Sequence, residues 1–98
     1  MTYDKLPEDA SRRYRLHVPD GAGGWKDLVG FAITGELRTA PDATPTVITG
    51  ALEADTHYGY VDLLPSHTAN PGRMYLDLKA VLGNAVHLAT VQVDIANR

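Results

Sequence analysis

Leu63-Leu64-Pro65-Ser66-His67-Thr68-Ala69-Asn70-Pro71-Gly72-Arg73-Met74-Tyr75-Leu76-Asp77-Leu78 is the stretch on which the fold turns. Pro65 and Pro71 bracket its middle, and proline donates no backbone hydrogen bond, so no strand runs through it. Ser66 to Ala69 has room for one helical turn, and the segment reads as a corner between two strands. Beyond the corner the pattern is strict. Met74, Leu76, Leu78 and Ala80 fall on one face and Tyr75, Asp77 and Lys79 on the other, the period of two of a half-buried strand.

Toward the C-terminus, Gly83-Asn84 predicts a hairpin turn into a last strand from Ala85 to Ile95. That strand has two apolar phases, Val86 with Leu88 and then Ala89, Val91, Val93 and Ile95, and a bulge near Leu88 and Ala89 would join them. Toward the N-terminus, Tyr58 to Leu64 and the β-branched run Thr46 to Glu53 predict a hairpin turning at Ala54-Asp55-Thr56-His57. Ala40 to Pro45 is a loop by its prolines. In the strand Phe31 to Arg38, Phe31, Ile33 and Leu37 share a face with Gly35, and such a glycine signals a bulge or the close approach of another backbone. Arg13 to Val18 alternates again, ended by Pro19-Asp20-Gly21, and the region around Trp25 leaves room for a seventh strand. Residues 1–11 are polar and read as a loosely held N-terminal arm, with residues 12–98 as one β-sandwich domain.

A chain of 98 residues with 44% apolar and 21% charged residues has the composition of one folded domain. A net charge of -3 offers no basic field for displacing counterions from phosphates, so a nucleic-acid partner is not expected. Without cysteine there is neither a disulfide framework nor a thiolate metal site, which suits a reducing cytoplasm. No stretch has the length of a membrane span, and the first residues lack the basic and apolar regions of a signal peptide, which argues against Sec-type export.

No residue combination predicts a catalytic, cofactor or metal site. His17, His57, His67 and His87 are types that bind zinc, and their number is all that would support a small metal enzyme, but no two stand at short ligand spacing. Ser66, His67 and Asp62 are triad types, yet adjacent residues diverge, so Ser66 reads as a cap of the helical turn and Thr68 as a structural corner residue. Gly21-Ala22-Gly23-Gly24-Trp25-Lys26 lacks the strand, helix and Lys-Ser/Thr pair of a phosphate loop and reads as flexible. Asp55, Asp62, Asp77 and Asp94 do not have calcium-loop spacing, and Arg12, Arg13 and Arg15 predict modest interstrand or interprotomer ion pairs. Trp25, with Tyr58, Tyr60 and Tyr75, carries the alternative reading of a carbohydrate-binding β-sandwich module, because aromatic faces stack on sugar rings.

Six or seven short strands without a long amphipathic helix predict an all-β protein, an antiparallel β-sandwich. The chain from about Arg13 onward resembles small immunoglobulin-like virion proteins of tailed phages, including the N-terminal domain of baseplate upper proteins. The residues that carry the resemblance are Asp27-Leu28-Val29-Gly30-Phe31, Gly35-Glu36-Leu37-Arg38, Gly59-Tyr60-Val61-Asp62-Leu63-Leu64-Pro65, Thr68-Ala69, Pro71 to Leu78 and Gly83. It implies an immunoglobulin-like sandwich without catalytic residues, serving as a head decoration, neck, tail or baseplate component. Its partners would be other virion proteins and itself, with no nucleic acid or membrane, and its place the virion after assembly in the host cytoplasm. Many immunoglobulin-like domains have a tyrosine two residues after the corner glycine; here Met74 stands there, predicting a packed core residue in place of a corner hydrogen bond.

Overall fold

The computed structural model describes residues 2–40 and 42–97. It is all-β, with strands β1 (Thr2–Pro7), β2 (Arg12–Leu16), β3 (Ala32–Arg38), β4 (Thr46–Thr49), β5 (Ala51–Leu52), β6 (Gly59–Leu63), β7 (Gly72–Leu82) and β8 (Ala85–Ala96). A five-stranded sheet has the order β1-β8-β7-β3-β4 and a three-stranded sheet the order β2-β6-β5. The described residues thus form eight strands, where six or seven were expected. No helix among the described residues is long and apolar enough to cross a membrane.

One face of each sheet is apolar, and the two faces share a core. Ile33, Leu37, Leu76, Leu78, Ala80, Val91, Val93 and Ile95 come from the large sheet, and Leu16, Val61 and Leu63 from the small one. The alternation read from Met74 to Ala80 is the one observed: Leu76, Leu78 and Ala80 are buried, and Met74 packs on the core half-buried.

Four expectations give way to the tertiary arrangement. Within the segment read as a loose arm, Thr2–Pro7 pairs in parallel with Val91–Ala96, burying Leu6 at 1% exposure. This makes the large sheet mixed, where an antiparallel one was expected. The bulge near Leu88 and Ala89 is absent, because Gly72–Leu82 faces Ala85–Ala96 in unbroken register. Val86 and Leu88 instead stay on the outer face, 58% and 60% exposed. The run Thr46–Glu53 is not one hairpin strand, since β4 pairs with β3 and β5 with β6, so the chain changes sheets at Gly50. The corner forms no helical element. Its turns are held by the N–H of His67 donating to Leu64 C=O (2.9 Å) and that of Thr68 to Pro65 C=O (3.2 Å).

Gly35 belongs to a continuous ladder, so no bulge explains it. A Cβ there would lie 2.8 Å from Val61 Cγ1 and 3.1 Å from Leu76 Cδ1, so the close approach is by side chains of both sheets. The corner is tied down by Thr68, fully buried, whose hydroxyl donates to Ala10 C=O at 2.7 Å while Asp9 N–H donates to Thr68 C=O at 3.0 Å. Replacing Thr68 with Val strands the Ala10 carbonyl and is expected to cost about 1–3 kcal/mol in urea denaturation, whereas Ser keeps the hydroxyl and most of the stability.

Candidate binding face

Alternation in β2 and β6 sends Leu16, Val61 and Leu63 inward and leaves Arg13, Arg15, Tyr60 and Asp62 on the outer face of the small sheet. Register sets Arg13 opposite Asp62 and Arg15 opposite Tyr60. The Arg13 guanidinium donates to both Asp62 carboxylate oxygens, Nε at 2.8 Å and Nη2 at 3.1 Å, and lies 3.8 Å above the Tyr60 ring. Arg15 grips Glu53 in the same two-pronged way and lies 4.1 Å above the Tyr58 ring. A planar guanidinium can bond a carboxylate edge-on while stacking on an aromatic face, which is how both residues are used. The Arg13 hydrogen bonds hold the Asp62 carboxyl below its usual range.

The row continues through His17, whose ring meets Tyr58 edge-on at 5.9 Å and packs against Trp25 at 3.8 Å. Trp25 is 43% exposed. Its position is set by a Pro19–Trp25 bridge, flanked by N–H donation from Lys26 to Val18 C=O (2.7 Å) and from Asp20 to Gly24 C=O (3.1 Å). Within the glycine segment, the Asp20 carboxylate accepts from the N–H groups of Ala22 (2.7 Å) and Gly24 (3.1 Å), which lowers its pKa. An anion would need those same N–H groups, and a carboxylate holds them.

Trp25, Tyr58 and Tyr60 thus share one face, while Tyr75 lies on the large sheet's outer face, opposite Gln92 and Arg38. One arginine lies over each of the Tyr58 and Tyr60 rings, and Trp25, packed against His17, remains 43% exposed.

The histidines do not converge. His17 sits in the aromatic row, His67 Nδ1 accepts the N–H of Leu64 (2.9 Å), His87 faces Phe31 at 6.0 Å, and His57 Nδ1 meets Asp55 Oδ1 at 2.7 Å. Among the described residues no group of three His, Cys, Asp or Glu is placed to hold a metal ion. Asp62 is bound to Arg13, not turned toward His67 and Ser66. Arg12 pairs with Asp4 of β1 at 3.3 Å, the interstrand pairing expected of the arginine run.

Asp55 raises the pKa of His57 through their hydrogen bond, while His57 lowers that of Asp55. The histidine's contribution is complete below its unfolded value and vanishes as pH rises through the raised folded one. The carboxylate's contribution is lost as pH falls through its lowered value, so the pair is whole only between the two. An NMR titration should give His57 a midpoint above the ordinary ~6.5, and Asp55→Asn should return it toward that value. An unmoved midpoint in Asp55→Asn would remove the assigned cause.

The outer face of the large sheet is divided. One part is charged and internally paired: Lys79 meets Glu36 at 2.7 Å, Thr90 donates to Asp77 at 2.7 Å, and Arg73 meets Asp94 at 3.2 Å. The other is apolar, around Val86 and Leu88. Among the described residues β1 covers β8 only from Val91 to Ala96, which leaves Ala85–Thr90 a sheet edge with no described partner on that side. Sequence reading missed this edge, although the two-phase apolar pattern of the last strand was its signal: the outward phase was exposed surface and not a bulge.

No protein-family model matches this chain, and no curated protein matches it. Among solved structures it is similar to part of a family 123 glycoside hydrolase from Clostridium perfringens, described for glycolipid glycan hydrolysis. The TM-score is 0.48 and the identity 8%, over 98% of this chain and 23% of that one. The chain thus spans less than a quarter of that enzyme's length.

Proposed function

We propose that this protein is a non-enzymatic structural component of a tailed-phage particle, an immunoglobulin-like domain that works by protein–protein contact. The particle role rests on the resemblance of its strand-and-corner segments to small virion proteins. The contact role rests on one observation: the Ala85–Thr90 edge, unpaired among the described residues and carrying exposed Val86 and Leu88. Unpaired backbone groups beside apolar side chains are a template for a partner strand. Its partners are other virion proteins and itself, and its place is the virion, following assembly in the host cytoplasm. Mass spectrometry of purified particles tests this: the protein should be present in stoichiometric amount, and its absence overturns the role.

A second reading, a carbohydrate-binding module, is favoured by the exposure of Trp25. It predicts glycan binding that Trp25→Ala abolishes. A glycan screen without any binding removes it.

A further inference from the structure

We propose that the Ala85–Thr90 edge of β8 is a self-association site, on which a second copy of the chain docks the same edge in antiparallel fashion to form a closed dimer. The inference deepens the contact role proposed above by naming surface and partner.

The hydrogen-bonding phase of β8 follows from its turn. Leu82 and Ala85 flank a two-residue loop and are paired, and such a closing pair exchanges both of its backbone bonds. Alternation along an antiparallel ladder then directs the N–H and C=O of Val86 and Leu88 away from β7, toward the free edge. Among the described residues no other backbone group takes them. In a two-fold pairing centred on His87, Val86 of each copy exchanges both bonds with Leu88 of the other. Their side chains, both on the outer face, then cover each other.

The window also has the right limits for this occupant. A strand laid along the edge meets β1 at Thr2, which pairs with Val91, and must turn away there. In the antiparallel pairing the second copy reaches that point at its own Gly83-Asn84 turn, where its chain leaves the edge. Each hairpin tip thus abuts the start of the other copy's β1. An extended strand without a turn at that position would collide with β1.

Charge selects the same edge. Ala85-Val86-His87-Leu88-Ala89-Thr90 contains no Lys, Arg, Asp or Glu, so self-pairing opposes no like fixed charges. The β2 edge carries Arg12, Arg13 and Arg15, and pairing it with itself would bring arginines together. The β1 edge carries Asp4 and Lys5, and β5 has only two residues. The uncharged rival is β4, with Val47 64% exposed, but it has only four residues. Joining β4 to β8 would be head-to-tail, giving open chains instead of a closed pair.

The test is sedimentation velocity of the full chain at micromolar concentration, with Leu88→Lys, Leu88→Pro and Val47→Lys. The Leu88 N–H points to the free edge, so proline there keeps the β7–β8 ladder while removing the edge donor. The wild-type chain should sediment at twice its monomer mass, both Leu88 variants at monomer mass with an unchanged far-ultraviolet spectrum, and Val47→Lys as wild type. If Leu88→Pro does not fold, Leu88→Lys decides. A monomeric wild type, a dimer indifferent to Leu88→Lys, mass growing without limit, or dissociation by Val47→Lys overturns the proposal. A dimer broken at Leu88 in a protein absent from particles would retire the particle role alone, and a monomer found in particles would retire the dimer alone.

Discussion

Gly50→Ala should destabilise the protein by about 3 kcal/mol in urea denaturation. Gly50 is where the chain leaves β4 in the large sheet for β5 in the small one, and its N–H donates to Ile33 C=O at 2.8 Å. A Cβ added there would lie 2.5 Å from Tyr60 O, 2.7 Å from Ile33 Cγ2 and 3.0 Å from Ile33 O. Two of those three atoms are backbone, belonging to β6 and β3, so no rotamer change relieves the contact. Making room means forcing the two sheets apart at their crossing.

Gly35→Ala is the comparison. Its clashes, at 2.8 Å and 3.1 Å, are with the side chains of Val61 and Leu76. Side chains yield more readily than backbone, so this substitution should cost about 1–2 kcal/mol, within the usual range for overpacking. The order of the two losses carries the claim. If Gly35→Ala proved the more damaging, the assignment of Gly50 as the crossing point would fail.

Leu6→Ala should cost a further large sum, about 3 kcal/mol, within the 2–5 kcal/mol of buried leucine truncations. Leu6 is 1% exposed in β1, opposite Ile95, and belongs to the core cluster of both sheets. A loosely held arm predicts almost no change on the same substitution. Lys5→Ala, one residue earlier and exposed, should stay within about 0.5 kcal/mol of wild type. Equal effects at both positions would return the segment to an arm. The polar contacts of β1 point the same way, since Tyr14 donates its hydroxyl to Asp4 at 2.8 Å. Burial, then that bond, raises the pKa of Tyr14.

The candidate face was half legible in the sequence. Aromatic residues at Trp25, Tyr58 and Tyr60 and arginines at Arg13 and Arg15 are visible as residue types, and they share a face. That the arginines lie on the tyrosine rings depends on the β2–β6 register, which pairs residues nearly fifty positions apart. Tyr75 has the same alternation signature yet lies on the other sheet, because period two fixes which face of a strand a residue takes but not which sheet the strand joins.

The all-β class, the outer and inner faces of β3 and β7, the Gly83-Asn84 hairpin and the structural role of Thr68 were determined by the sequence alone. Each depends on local alternation, on a turn residue or on a proline that bars a ladder. Only the tertiary structure decided the rest: the parallel docking of β1, the change of sheets at Gly50 and the outward placement of Val86 and Leu88. The physical reason is that strand pairing is non-local. A polar segment such as Thr2–Pro7 becomes a strand when a partner offers backbone groups and one hole for Leu6, and an apolar phase stays exposed when the ladder beside it leaves no room for a bulge.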